Sequence, residues 1–105
     1  MMSERHPVEM IVVALCADYG RRVDEIAKKE LAPRVIMEYK YYNTKIYHAV
    51  AEIVGEEEAI SYIEDIGKRS GYSKRYEEYY ISENTYKKRK RECKFNIARK
   101  LNLIE

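Results

Sequence analysis

A chain of 105 residues with 46% hydrophobic and 36% charged side chains is one folded domain, too apolar for a disordered chain and too short for two domains. No apolar run approaches the roughly 20 residues of a membrane span. The segment before residue 17 carries Glu9 and has no small-residue cleavage pattern, so neither a secretory leader nor a membrane partner is expected. The net charge of +2 hides an asymmetry: residues 1–66 hold 8 Lys/Arg against 13 Asp/Glu (net −5), and residues 67–105 hold 12 against 5 (net +7). A basic C-terminal part is the natural candidate to meet a polyanion.

Cys16 and Cys93 make no disulfide framework and fit a reducing, cytoplasmic setting. Four Gly and two Pro are too few for an all-β fold, which needs a turn every eight to twelve residues or so. The expected class is all-α: a long N-terminal antiparallel helical hairpin over residues 7–54, then a small C-terminal helix-turn-helix bundle over residues 56–104, together forming a single domain.

The first predicted helix starts at Pro7 or Val8 and ends near Glu30. Pro7 suits a first helical turn, and Val8, Val12, Leu15, Tyr19, Val23 and Ile26 fall on one face. Gly20 interrupts this run and marks a kink or a close packing contact. A short break at Leu31 and Ala32 precedes the second helix, from Pro33 to Val54. Its stripe of Val35, Tyr39, Tyr42, Ile46, Ala49 and Ile53 advances by alternating steps of four and three, a heptad seam. Such a seam serves an oligomer or an intramolecular bundle equally well. Gly55 fits a left-handed cap.

Three carboxylates, Glu56, Glu57 and Glu58, open the third helix and complement its dipole. Its apolar positions are Ala59, Ile60, Ile63 and Ile66, and Gly71 is the predicted stop. A short fourth helix covers about Ser73 to Tyr80. The fifth starts at Ser82, a favoured N-cap, and runs to about Leu101 with Tyr86, Cys93, Ile97 and Leu101 inward.

The segment from Tyr80 to Tyr86 joins that short helix to the basic one. A helix-turn-helix needs an apolar plug in the turn, here Ile81, a cap for the second helix, here Ser82, and an apolar anchor one turn in, here Tyr86. Polar and basic residues at the second helix's N-terminal end would enter the major groove. The candidate DNA-binding residues are Ser82, Asn84, Thr85, Lys87, Lys88, Arg89, Arg91 and Lys94. The unbroken run from Lys87 to Arg91 wraps the helix circumference, so part of it must contact phosphates rather than bases. Asn84 suits adenine, and Lys87 or Lys88 suits guanine. A rival register takes Gly67 as the small residue of the first helix and Gly71 as the turn glycine, with the helix bearing Lys74, Arg75 and Glu77 in the groove. The plain alternative to both is a helical hairpin that closes the bundle.

The run Ile81-Ser82-Glu83-Asn84-Thr85-Tyr86, followed by a basic helix, Ile97-Ala98 and Leu101, resembles phage transcriptional regulators of the ArpU/RinA type. Those are similar to sigma-70 region 4, which binds promoter −35 elements. The resemblance covers about residues 66–104. It implies a helix-turn-helix domain acting on phage or prophage promoters. Tyr80 departs from it, standing where many helix-turn-helix proteins have glycine.

No zinc-like spacing links His6, His48, Cys16 and Cys93, so no metal is expected. The carboxylate clusters read as dipole compensation or solvated faces. No phosphate-cradling glycine loop or nucleophile elbow occurs, so no catalytic residue, no cofactor and no enzyme activity are expected. Eleven tyrosines against one Phe and no Trp is an unusual balance. Tyr72, Tyr76, Tyr79 and Tyr86 fit a core better than a base-stacking platform. Tyr39, Tyr41, Tyr42 and Ile46 form a candidate interface for a homodimer or another partner.

Two functions follow as expectations. One is a sequence-specific regulator that binds double-stranded DNA, with the hairpin serving dimerisation or RNA polymerase contact. The other is a helical interaction module that binds a protein partner through its tyrosine-rich helices.

Overall fold

The computed structural model describes residues 7–104. Six helices follow in order: α1 (Pro7–Ala17), α2 (Tyr19–Lys28), α3 (Pro33–Val54), α4 (Glu56–Lys68), α5 (Lys74–Glu78) and α6 (Glu83–Lys100). The described residues contain no strand.

The first predicted helix is two helices meeting at Asp18. Backbone bonds still cross the joint, from the Asp18 amide to the Ala14 carbonyl at 3.2 Å and from the Arg22 amide to the Asp18 carbonyl at 3.0 Å. A buried side chain braces it. The Arg22 guanidinium donates to the Leu15 carbonyl and through Nε to Asn43 Oδ1 on α3 at 2.7 Å. Asn43 in turn donates to the Tyr19 carbonyl. One polar cluster thus ties the last turn of α1, the first turn of α2 and the middle of α3. Burial holds the Arg22 guanidinium below its usual pKa, the cost of desolvating a cation without an acid in contact.

The joint changes the topology expected of a hairpin. Of the two halves of the predicted first helix, α2 packs along α3, whereas α1 turns away and packs on α4 and α6. The two parts expected at 7–54 and 56–104 therefore share one core. Val12 and Cys16 from α1 and Ile46, Ala49 and Val50 from α3 are buried with Ala59, Tyr62, Ile63 and Ile66 of α4. Tyr76, Ile81, Tyr86, Cys93, Ile97 and Ala98 complete it. The heptad seam of α3 is intramolecular at Ile46 and Ala49. Val23 of the predicted first stripe is 46% exposed and Ile60 of the third 43%.

Gly67 makes the close approach of α1 to α4 possible. A Cβ there would lie 2.7 Å from the Ala17 Cα and 2.7 Å from its backbone nitrogen. Gly67 is therefore a packing residue inside α4, and Gly71, the turn glycine of the rival register, lies in the loop between α4 and the five-residue α5. Gly20 meets nothing within 4 Å and has no packing role.

Gly55 ends α3 and begins α4 in one residue, at φ 89° and ψ 163°. That is an extended conformation open almost only to glycine, not the left-handed helical cap expected. Left-handed caps occur elsewhere, on residues that are not glycine. Lys29 at φ 57° ends α2. After α4, the Arg69 amide bonds the Ile66 carbonyl and the Ser70 amide bonds the Asp65 carbonyl. After α5, the Tyr80 amide bonds the Glu77 carbonyl and the Ile81 amide bonds the Tyr76 carbonyl. Asn102 and Leu103 repeat the pattern after α6. These are Schellman caps, with Arg69, Tyr80 and Asn102 at the positive-φ position. Gly71, the expected stop of the third helix, lies in the loop beyond Arg69.

Candidate nucleic-acid interface

The basic helix α6 has two halves with different surroundings. Its C-terminal half is clamped onto α3. Asn96, buried, donates to the Ala49 carbonyl at 2.8 Å and to Glu52 Oε1 at 2.9 Å. Lys100 pairs with Glu52 Oε2 at 2.9 Å. Cys93, Ile97 and Ala98 face the core.

The N-terminal half is held from beneath by α4 and α5. The Ser82 hydroxyl accepts from the Thr85 amide at 3.2 Å, the N-cap expected from sequence. Ile81, 7% exposed, fills the turn and Tyr86 is fully buried one turn later. Three tyrosine rings surround this anchor: its centroid lies 4.5 Å from that of Tyr76 and 5.3 Å from that of Tyr62, both tilted, and 5.7 Å from that of Tyr72, edge-on. The Tyr72 hydroxyl donates to the Ile81 carbonyl and ties down the turn.

Beneath the rings lies Asp65 of α4, buried. Its Oδ2 accepts from Tyr76 at 2.6 Å and from Tyr86 at 2.8 Å, and Oδ1 accepts from Arg75 at 3.4 Å. One carboxylate thus joins α4, α5 and α6. Burial, and then the bonds to Asp65, hold the hydroxyls of Tyr76 and Tyr86 far above the ordinary tyrosine range. Asp65 had no distinguishing mark in the sequence, where it stood in the Glu64-Asp65 pair as one of several solvated carboxylates.

The predicted DNA-binding residues divide by helical face. Asn84, Lys88 and Arg91 are exposed, and their spacing of four and three puts them on one stripe. Phe95, 38% exposed, continues it. Lys87 is exposed beside this stripe and pairs with Glu83 at 3.0 Å. Ser82 and Thr85 are bonded to each other at the cap. Arg89, half-buried, turns toward Tyr62, whose hydroxyl burial pushes up to about 12. Lys94 is directed away from the stripe and pairs with Glu9 of α1 at 3.0 Å, with 21% of its side chain accessible. Lys94 thus joins α6 to α1, and the outward stripe excludes it. Lys90, absent from the sequence-based set, donates to the Ser70 carbonyl and lies 5.8 Å from the Tyr86 ring centroid. Its steps of three and four from Lys87 and Lys94 were visible in the sequence, but the partner elements were not.

The tyrosine cluster on α3 separates similarly. Ile46 is fully buried and unavailable to a partner, because it faces the chain's own core. Tyr39 is half-buried and its hydroxyl accepts from Arg21 of α2 at 3.4 Å. The Arg22 guanidinium lies 5.9 Å from the centroid of the Tyr42 ring. Tyr41, 46% exposed, and Met37, 71% exposed, face outward.

Among the described residues no group of three His, Cys, Asp or Glu side chains could hold a metal ion. His6 lies outside the described residues, and His48 is exposed on α3. Burial pushes both cysteine thiols up to about 12, the opposite of an activated nucleophile. No described helix is long and apolar enough to cross a membrane. No family model matches the chain, and neither a curated protein nor a solved structure matches it.

Proposed function

We propose that the protein is a sequence-specific regulator that reads duplex DNA with the N-terminal half of α6. In this reading α5, the turn at Tyr80 and Ile81, and α6 act as a helix-turn-helix. The observation that carries it is the stripe of Asn84, Lys88 and Arg91, exposed on a helix whose opposite face is anchored by Ile81 and Tyr86. A rigidly held helix with an amide and cations on its free face has the chemistry of major-groove readout. Asn84 would pair with adenine, while Lys88 and Arg91 would meet guanine or phosphate. The resemblance to ArpU/RinA-type regulators supplies the class of gene such a protein would control, phage or prophage. RNA polymerase or a second copy would have to meet other exposed residues, since Ile46 is buried.

The exposed Met37 and Tyr41 favour the second reading, a module that binds a protein partner. Titration of the protein onto duplex fragments of its own genome, at two salt concentrations, separates the two. Tight, salt-sensitive binding to a few fragments is expected of the regulator. Equal, weak binding to all fragments would overturn it and leave the protein-partner reading.

A further inference from the structure

Beside the outward stripe of α6 lies a cleft of about 340 Å³ between this helix, the Gly71-Tyr72 loop and the start of α1. Its wall on α6 carries Lys87, Lys90, Arg91 and Lys94, and the single carboxylate facing them is Glu9. Its remaining surface includes the rings of Tyr72 and Tyr86.

The charges here are unevenly matched. Glu9 is engaged by Lys94, and Lys87 by Glu83. Among the described residues Lys90 makes no ion pair; it donates to the Ser70 carbonyl and lies over the Tyr86 ring. Arg91 has no ion pair or hydrogen bond among the described residues. Burial, and then the like charge of Lys94, hold the Lys90 ammonium below the usual lysine value. The Glu9, Lys90 and Lys94 row also walls a second cleft, of about 170 Å³, whose lining adds Arg69. Cations crowded on a concave surface, with too few carboxylates to neutralise them, favour a multivalent anion with several acceptor oxygens.

We propose that the cleft between α6, the Gly71-Tyr72 loop and Glu9 seats a phosphate group, held by Lys90 and Arg91. Lys90 points in from a half-buried position, and Arg91 supplies a planar donor fork at the rim. Arg91 borders both the cleft and the stripe of Asn84 and Lys88. The phosphate therefore belongs either to the backbone of a duplex read by that stripe, which deepens the DNA-binding reading, or to a free phosphorylated molecule, which does not depend on it.

The test uses the whole chain, Lys90→Gln, Arg91→Gln, and Lys40→Gln on α3 as a basic substitution outside both the cleft and α6. Arg91 is exposed and unpaired among the described residues, so its substitution keeps the test free of any folding defect from Lys90→Gln. One arm measures the thermal midpoint with sodium pyrophosphate against sodium chloride at matched ionic strength. The other measures affinity for a short duplex. A midpoint raised by pyrophosphate in wild type and Lys40→Gln, but not in the two cleft variants, supports a seat for free phosphate even where no duplex binds. No pyrophosphate effect, with duplex affinity about tenfold weaker in both cleft variants than in Lys40→Gln, supports a backbone phosphate; tenfold is the weight of about one charge-assisted hydrogen bond. Equal losses in all three variants would mean a diffuse basic surface and overturn the proposal. So would cleft variants that behave as wild type in both arms, an outcome that leaves duplex reading through Asn84 and Lys88 intact.

Discussion

Tyr86 on α6 and Asp65 on α4 are 21 residues apart in sequence and 2.8 Å apart at their hydrogen-bonded oxygens. Tyr76 shares the same carboxylate oxygen at 2.6 Å. Replacing Asp65 with Ala leaves the Tyr76 hydroxyl without its acceptor and the Tyr86 hydroxyl with only the Ser70 carbonyl at 3.4 Å. Each such group costs on the order of 1–3 kcal/mol, so Asp65→Ala is expected to destabilise the fold by about 2–4 kcal/mol. Urea denaturation followed by far-UV circular dichroism measures it. A loss below about 0.5 kcal/mol would show that Asp65 does not organise this end of the molecule.

The same triad sets a pH dependence. Tyr76 and Tyr86 have folded-state pKa values raised above the unfolded value of about 10. Their contribution to stability is complete below about pH 10 and is lost as pH rises further, because the unfolded chain then releases protons that the native state retains. Each buried tyrosine contributes a slope of about 1.4 kcal/mol per pH unit in that window. Stability measured across pH 9 to about 12 should fall steeply. The double variant Tyr76→Phe, Tyr86→Phe should flatten the fall.

The two glycines of the N-terminal packing respond oppositely. Gly67→Ala drives a methyl to within 2.7 Å of the Ala17 backbone, which cannot move as a side chain can. The expected loss is about 1–3 kcal/mol, with α1 displaced from α4. Gly20→Ala enters open space on a helix and should stabilise by about 0.4–1 kcal/mol. Thermal melts of the two variants give the comparison directly. A gain for Gly67→Ala would contradict the close packing of α1 on α4.

Tyr80 sits at φ 60° with 97% of its surface exposed. Its ring therefore gains almost nothing from burial, while the left-handed backbone costs an L-residue roughly 1–2 kcal/mol. Tyr80→Gly relieves that cost, less the larger unfolded-state entropy of glycine. A net gain of about 0.5–1 kcal/mol is expected, seen as a midpoint higher by about 2–6 °C. Tyr80→Val, β-branched at the same φ, should instead destabilise.

If α6 binds duplex DNA, its salt dependence reports the phosphates it neutralises. About six contacts give a log–log slope near −5, and each one removed lowers its magnitude by about 0.9. The triple variant Lys87→Gln, Lys88→Gln, Arg91→Gln should then show a slope near about −2 to −3 with unchanged helicity. An unaltered slope would remove these side chains from the interface.

Much of the architecture was legible in order along the chain. The bounds of α3 follow from Pro33 at its first turn and Gly55 at its end, and Ser82 caps α6 because a hydroxyl before a helix satisfies an orphan amide. Capping is local chemistry, decided by neighbours in sequence, so it could be read there. The helix ends predicted near Glu30 and Tyr80 lie within two residues of those of α2 and α5, whereas the end of α4 at Arg69 was not legible, because Schellman bonds hold an arginine where glycine is the usual signal.

The sequence by itself determined an all-helical chain, its charge asymmetry and the Ser82 cap of α6, all consequences of composition and short-range chemistry. Tertiary structure alone decided that α1 leaves α3 at Asp18, that Gly67 rather than Gly20 is the close contact, and that Asp65 joins three helices. It also divided the basic run of α6, directing Asn84, Lys88 and Arg91 outward and Lys94 to Glu9. Periodicity says which residues share a face, but a partner 85 positions away in sequence is chosen only by how the helices pack.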